Sequence, residues 1–134
     1  MEINPRFKPH WFWKLFFWFH ILIAPVFIIL VVGEELSVLD WVDIGAFFVI
    51  ITCLYGYVFS KKIGVAKFWQ GICLIYPCWA IFYEFIAPYW FHLPQYGEIY
   101  DYDPLFIALA LFFIVPTSRA FYLYGFSREQ LWRS

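Results

Sequence analysis

Four stretches of this chain, Trp11 to Gly33, Val42 to Ser60, Phe68 to Ala87 and Leu105 to Gly125, are apolar over about the twenty residues that a helix needs to cross a bilayer. Between them they leave little chain for anything else. Only 14% of the 134 residues are charged, against roughly 25% in soluble domains, and the mean hydropathy is +0.72. Strands of a membrane barrel alternate apolar with polar residues, whereas these blocks are apolar on every side, so helices are expected. The first block follows a basic start, as a signal peptide does, but it is too long and has no small-x-small site before Glu34, so it reads as a retained span. The expected fold is an all-α integral membrane protein, one domain over 1–134, with four transmembrane helices in an antiparallel up-down-up-down bundle.

The charges orient that bundle. All nine Lys and Arg residues fall on one side of a four-span arrangement: Arg6, Lys8 and Lys14 at the start, Lys61, Lys62 and Lys67 between spans two and three, and Arg119, Arg128 and Arg133 at the end. Glu34, Glu35, Asp40, Asp43, Glu98, Asp101 and Asp103 fall on the other. One span more or fewer would mix the signs. By the positive-inside rule both termini are expected in the cytoplasm, and a bacterial inner membrane is the expected location. The amino-terminal cations and Trp11, Trp13 and Trp18 suit anchoring at headgroup level.

One acid interrupts the third block. Stepping about 100° per residue, Gln70, Cys73, Pro77, Ala80, Glu84, Ala87 and Pro88 share one arc, while Ile72, Ile75, Trp79, Phe82, Phe85 and Ile86 point elsewhere. Small and polar residues mark where membrane helices approach, so this arc, and Glu84 with it, is expected to face protein. On the second span Gly45, Thr52 and Gly56 stack along one face. A short loop joins the two spans, so Gly45, Thr52 and Gly56 are expected to pack against Cys73, Pro77 and Ala80 as the tightest pair, with Trp79 towards lipid. Counting outward from that loop puts Glu84 level with Val42 and Asp43, near the outer edge, where no Lys or Arg can pair with it. Its expected partners are hydroxyls, water, His92, a cation or its own proton.

The same count gathers His20, Tyr55, Tyr57, Gln70, Arg119 and Tyr122 into a second polar layer nearer the cytoplasm, with Arg119 snorkelling to the inner headgroups and His20 hydrogen-bonded to Tyr or backbone. The loop between spans three and four, with His92, Glu98, Asp101 and Asp103, is the longest polar segment and the expected place for recognition. Its spacing matches no EF-hand or zinc pattern, so it reads as a solvated acidic loop and no metal is expected. Cys53, Cys73 and Cys78 lie inside spans and read as packing residues, since an odd number of buried thiols makes no disulfide framework. Pro25, Pro77 and Pro116 interrupt three spans and can kink them.

No Walker motif, GxGxxG, HExxH, CxxC or GxSxG occurs, so no catalytic residue, cofactor or enzymatic activity is expected. A net charge of −1 with juxtamembrane cations does not suit nucleic acid. The expected partners are the bilayer and other membrane subunits or a second copy. The role expected first is a non-catalytic accessory or assembly subunit of a larger membrane complex. A small transporter or ion-handling component using Glu84 comes second, and a lipid- or quinone-binding protein third.

Overall fold

A computed structural model describes residues 11–33, 35–36, 38–86, 104–127 and 129–133. They form helices and no strand: α1 Trp11–Val31, α2 Val38–Val58, α3 Ala66–Ile81 followed directly by a π-helical turn Phe82–Ile86, α4 Pro104–Gly125 and a short α5 Glu129–Arg133. Three helices, α1, α2 and the part of α4 from Ile107 to Gly125, are long and apolar enough to cross a membrane. The α-helical part of the third run has 16 residues, and the π turn adds 5. Together they match the 21 residues of α1 and of α2.

Residue choice accounts for the ends of these helices. Gly33 takes φ 93° at the end of α1, a left-handed conformation that costs glycine little. Ser60 takes φ 52° after α2, and the Lys61 N–H reaches back 2.9 Å to the Gly56 carbonyl, the Schellman closure. The second helix starts at Val38, four residues before the apolar block does, because Asp40 and Asp43 are inside it.

Neighbouring helices run in opposite directions. Trp13 near the start of α1 meets Tyr57 near the end of α2, with ring centroids 5.9 Å apart, and Asp40 near the start of α2 meets Tyr83 past the end of α3. One end of the bundle, where α1 and α3 begin and α2 and α4 finish, is packed solid. Trp13, Phe16, Phe17, Cys53, Leu54, Tyr57, Trp69, Ala120, Phe121 and Tyr124 are all buried there. Tyr124 is its keystone. Its hydroxyl donates to the Lys61 carbonyl at 2.6 Å and accepts from the Ile63 N–H at 3.1 Å, pinning the α2–α3 loop to α4. The Trp69 indole donates to the Ile63 carbonyl at 2.7 Å, and the Trp132 indole on α5 donates to the Tyr124 carbonyl at 2.8 Å. Lys14, Lys61, Lys62, Lys67, Arg119 and Arg133 all belong to this half, while Asp40, Asp43 and Glu84 belong to the other.

The expected tightest pair is not the observed one. The most extensive close approach is between α3 and α4, while α2 and α3 come close at few points. Gly125 makes that approach possible: a Cβ there would stand 3.1 Å from the backbone nitrogen of Gln70. The Gln70 side chain donates to the Gly125 carbonyl at 3.0 Å, and the Cys73 thiol points at the Ser118 carbonyl 4.0 Å away. Gly56 receives Tyr124 of α4 rather than α3. Gly45 is exposed and has nothing within 4 Å of where its Cβ would be, and Thr52 bonds only the Phe48 carbonyl one turn back in its own helix. A stripe of small residues states that something can approach closely. It does not state which helix, and here large aromatic side chains of α4 fill the space that Gly56 leaves.

Candidate functional site

Beyond that end, the four helices line a half-open cavity of about 450 Å³. Most of its wall is aromatic or aliphatic, including Phe19 and Phe27 of α1, Phe47 of α2 and Phe113 of α4. The polar groups on it come from all four helices: His20, Asp43, Tyr76, Thr117, and Glu84 from the π turn. Among the described residues no Lys or Arg lines it.

Glu84 is half-buried and has no hydrogen-bond or ion-pair partner among the described residues. The π turn that carries it follows Pro77 by less than two turns, and π-helical turns inside helices recur at functional sites. Two bonds hold this part of the third helix against α2. The Trp79 indole donates to Asp43 Oδ1 at 3.2 Å, and the Tyr83 hydroxyl donates to Asp40 Oδ1 at 2.6 Å. Trp79 therefore does not simply face lipid, as its place on the helical wheel suggests. Asp43 also lines the cavity and lies near enough to Glu84 for their charges to interact.

His20 is 4% exposed, so its bonding can be accounted for atom by atom. Nδ1 is 2.8 Å from the Phe16 carbonyl. A carbonyl only accepts, so Nδ1 carries a hydrogen and, in the neutral ring, Nε2 carries a lone pair. Every side-chain nitrogen or oxygen sealed from solvent among the described residues has a partner. Nε2 has none among the described residues and so is not sealed, and His20 lines the cavity. Tyr76 of α3 and Thr117 of α4 both line the cavity.

The sequence-predicted sites are thus divided and regrouped. Glu84 and His20, expected in separate layers, share one cavity, and Ala80 is on its wall. Gln70 holds α3 to α4 and does not reach the cavity. Arg119 and Tyr122 are exposed on α4, and neither lines the cavity that His20 lines. Pro77 is half-buried within α3, and Cys73 faces α4. His92, Glu98, Asp101 and Asp103 lie outside the described residues. Asp40, Asp43, Tyr76 and Thr117 were not singled out by the sequence. For the two acids a signal existed: they stand three residues apart, on one helical face, at the start of an apolar block. Compared with known protein families, curated proteins and solved structures, the chain matches none.

Proposed function

We propose that this is a four-span protein of a bacterial cytoplasmic membrane, with both termini inside, that binds a cation in the cavity between its helices and so acts as an ion-handling component. The helical run 66–86 serves as the third span, and the separation of cations from acids along the bundle supports the orientation. One observation carries the cation reading. Asp43 and Glu84 line a cavity on which, among the described residues, no basic side chain stands and Glu84 has no hydrogen-bond or ion-pair partner. Carboxylates kept inside a membrane bundle without a counter-charge are costly unless a proton or a cation joins them. Quinone binding is the weaker use of the same space, because quinone carbonyls need donors and this wall offers chiefly acceptors.

The test is thermal unfolding of the protein in lipid nanodiscs against a panel of metal and organic cations. A ligand that binds only the folded state raises Tm with concentration. At least one cation is expected to raise Tm of the parent and not of Glu84→Gln; no cation-dependent rise in the parent would sink the reading.

A second reading, the non-catalytic accessory or assembly subunit, draws on the solid half of the bundle. Trp69, Phe121, Tyr124 and Leu54 are all buried between the cavity and the end where α1 begins, which suits packing better than passage through this chain. Native mass spectrometry after mild solubilisation tests it, and a chain that leaves the membrane alone speaks against it.

A further inference from the structure

A second hollow adjoins the first. Val42, Ala46 and Val49 of α2 and Ile72, Ile75, Tyr76 and Trp79 of α3 line a cleft of about 250 Å³ where these helices diverge. Val42 and Ile75 are 49% and 63% exposed, so the cleft opens on the side of the bundle, which in the four-span arrangement is the lipid side. Ala46 and Tyr76 line both the cleft and the cavity. Only these two side chains are common to both walls, and alanine is a small one.

We infer that the cavity takes a lipophilic amine in its ammonium form, and that the amine arrives sideways from the bilayer through the cleft between α2 and α3. The inference rests on the reading of the cavity as a cation site and says which cation. A metal ion in a protein site takes six or more oxygen ligands if it is hard, or a cluster of His, Cys and carboxylates if it is not. Among the described residues no group of three such side chains stands together. The cavity is instead of the size of small-molecule sites and largely aromatic, with Phe19, Phe27, Phe47 and Phe113 around a few convergent polar groups. Aromatic faces attract organic ammonium ions and their apolar bodies alike. An ammonium N–H finds acceptors in the carboxylates of Glu84 and Asp43, which lie near enough for their charges to interact, and His20 lines the same space. A molecule of this kind partitions into the bilayer, so an apolar side door suits it, whereas a hydrated metal ion has no use for one.

Equilibrium dialysis on the full chain in phosphatidylcholine nanodiscs, with empty nanodiscs as background, tests this using 4-phenylbutylamine, the neutral 4-phenylbutan-1-ol, and Na⁺, K⁺ and Ca²⁺. Saturable binding of the amine is expected, weaker by about tenfold or more for the alcohol and for Glu84→Gln, because a charge-assisted contact is lost in each. Asp43→Asn, read in the same way, stands in if Glu84→Gln does not fold. Saturable binding of a metal ion with none of the amine overturns the inference but leaves the cation reading standing; equal binding of alcohol and amine overturns both. The route is read from rates. Val49→Trp fills the cleft and leaves the cavity wall intact, so it should slow association and dissociation of the amine together at unchanged Kd. Unchanged rates in a folded Val49→Trp protein overturn the lateral route.

Discussion

The phenol of Tyr124 fills the space in which a Cβ on Gly56 would stand. The next obstruction is the Lys61 carbonyl at 3.2 Å, which Tyr124 itself holds. Gly56→Ala must displace a ring that is wholly buried and hydrogen-bonded at its tip. It should cost about 1 to 3 kcal/mol by overpacking. Tyr124→Phe keeps the ring but leaves the Ile63 N–H and the Lys61 carbonyl without their partner, and should cost about as much. Unfolding in nanodiscs measures both. In the double variant Gly56→Ala/Tyr124→Leu the costs should fall short of additivity, because the ring that the added methyl strikes has gone. Additive costs would mean that the two residues do not share this space.

Glycines on two helices should respond with opposite signs. Gly125→Ala places a Cβ 3.1 Å from backbone of α3, which cannot rotate away, so the tightest helix pair must separate and Tm should fall. Gly45→Ala places one in open space inside a helix and should stabilise by about 0.5 to 1 kcal/mol. If Gly45→Ala proves the more damaging, α2 packs through the face that the small-residue stripe suggests.

The two bonds between α2 and the third helix carry different weight. Tyr83→Phe removes the 2.6 Å bond to buried Asp40 and should destabilise by about 1.5 to 3 kcal/mol, as for hydrogen bonds to charged groups. Trp79→Phe removes a longer bond to half-buried Asp43 and should cost less, though more than the near-zero cost of a purely lipid-facing residue. Amide exchange over 78–86 should rise in both variants. An unchanged exchange profile in Tyr83→Phe would show that the bond does not hold the π turn.

Membrane orientation is open to chemical labelling. With Cys53, Cys73 and Cys78 replaced, a cysteine introduced at Ser60 or Ser134 should react with an impermeant maleimide only after permeabilisation, and one at Gln95 before it. The reverse pattern refutes an arrangement with both termini inside, and labelling of Ser60 and Gln95 from the same side removes the third span.

The all-helical class and the approximate extent of the three long apolar helices could be read from the chain, because the bilayer imposes one requirement locally: each backbone N–H and C=O must find its partner within its own segment, so about twenty apolar residues in a row imply a helix wherever they occur. The start of α2 could not be read from hydropathy. Asp40 and Asp43 look like loop acids until Tyr83 and Trp79, some forty residues later, supply the donors that let them stay inside.

Glu84 is singled out by the same local reasoning, since a lone acid in an apolar block stands out without any partner being known. Its surroundings are a different matter. The helical wheel says only that Glu84 faces protein, and the depth count assumes that consecutive spans are neighbours and straight. Pro77 and the π turn change the rotation of the third helix just before Glu84, and α3 leaves α2 to lie along α4, where Gly125 admits it. That choice of neighbour brings His20, Asp43, Thr117 and Glu84 onto one cavity and opens the cleft beside it. Sequence alone determined what each segment must be, because hydrophobicity and backbone bonding act within a segment. Which segments touch was decided by shape at the contacts, by the Tyr124 ring in the space beside Gly56 and α3 against Gly125. Fit of that kind exists only between surfaces already brought together.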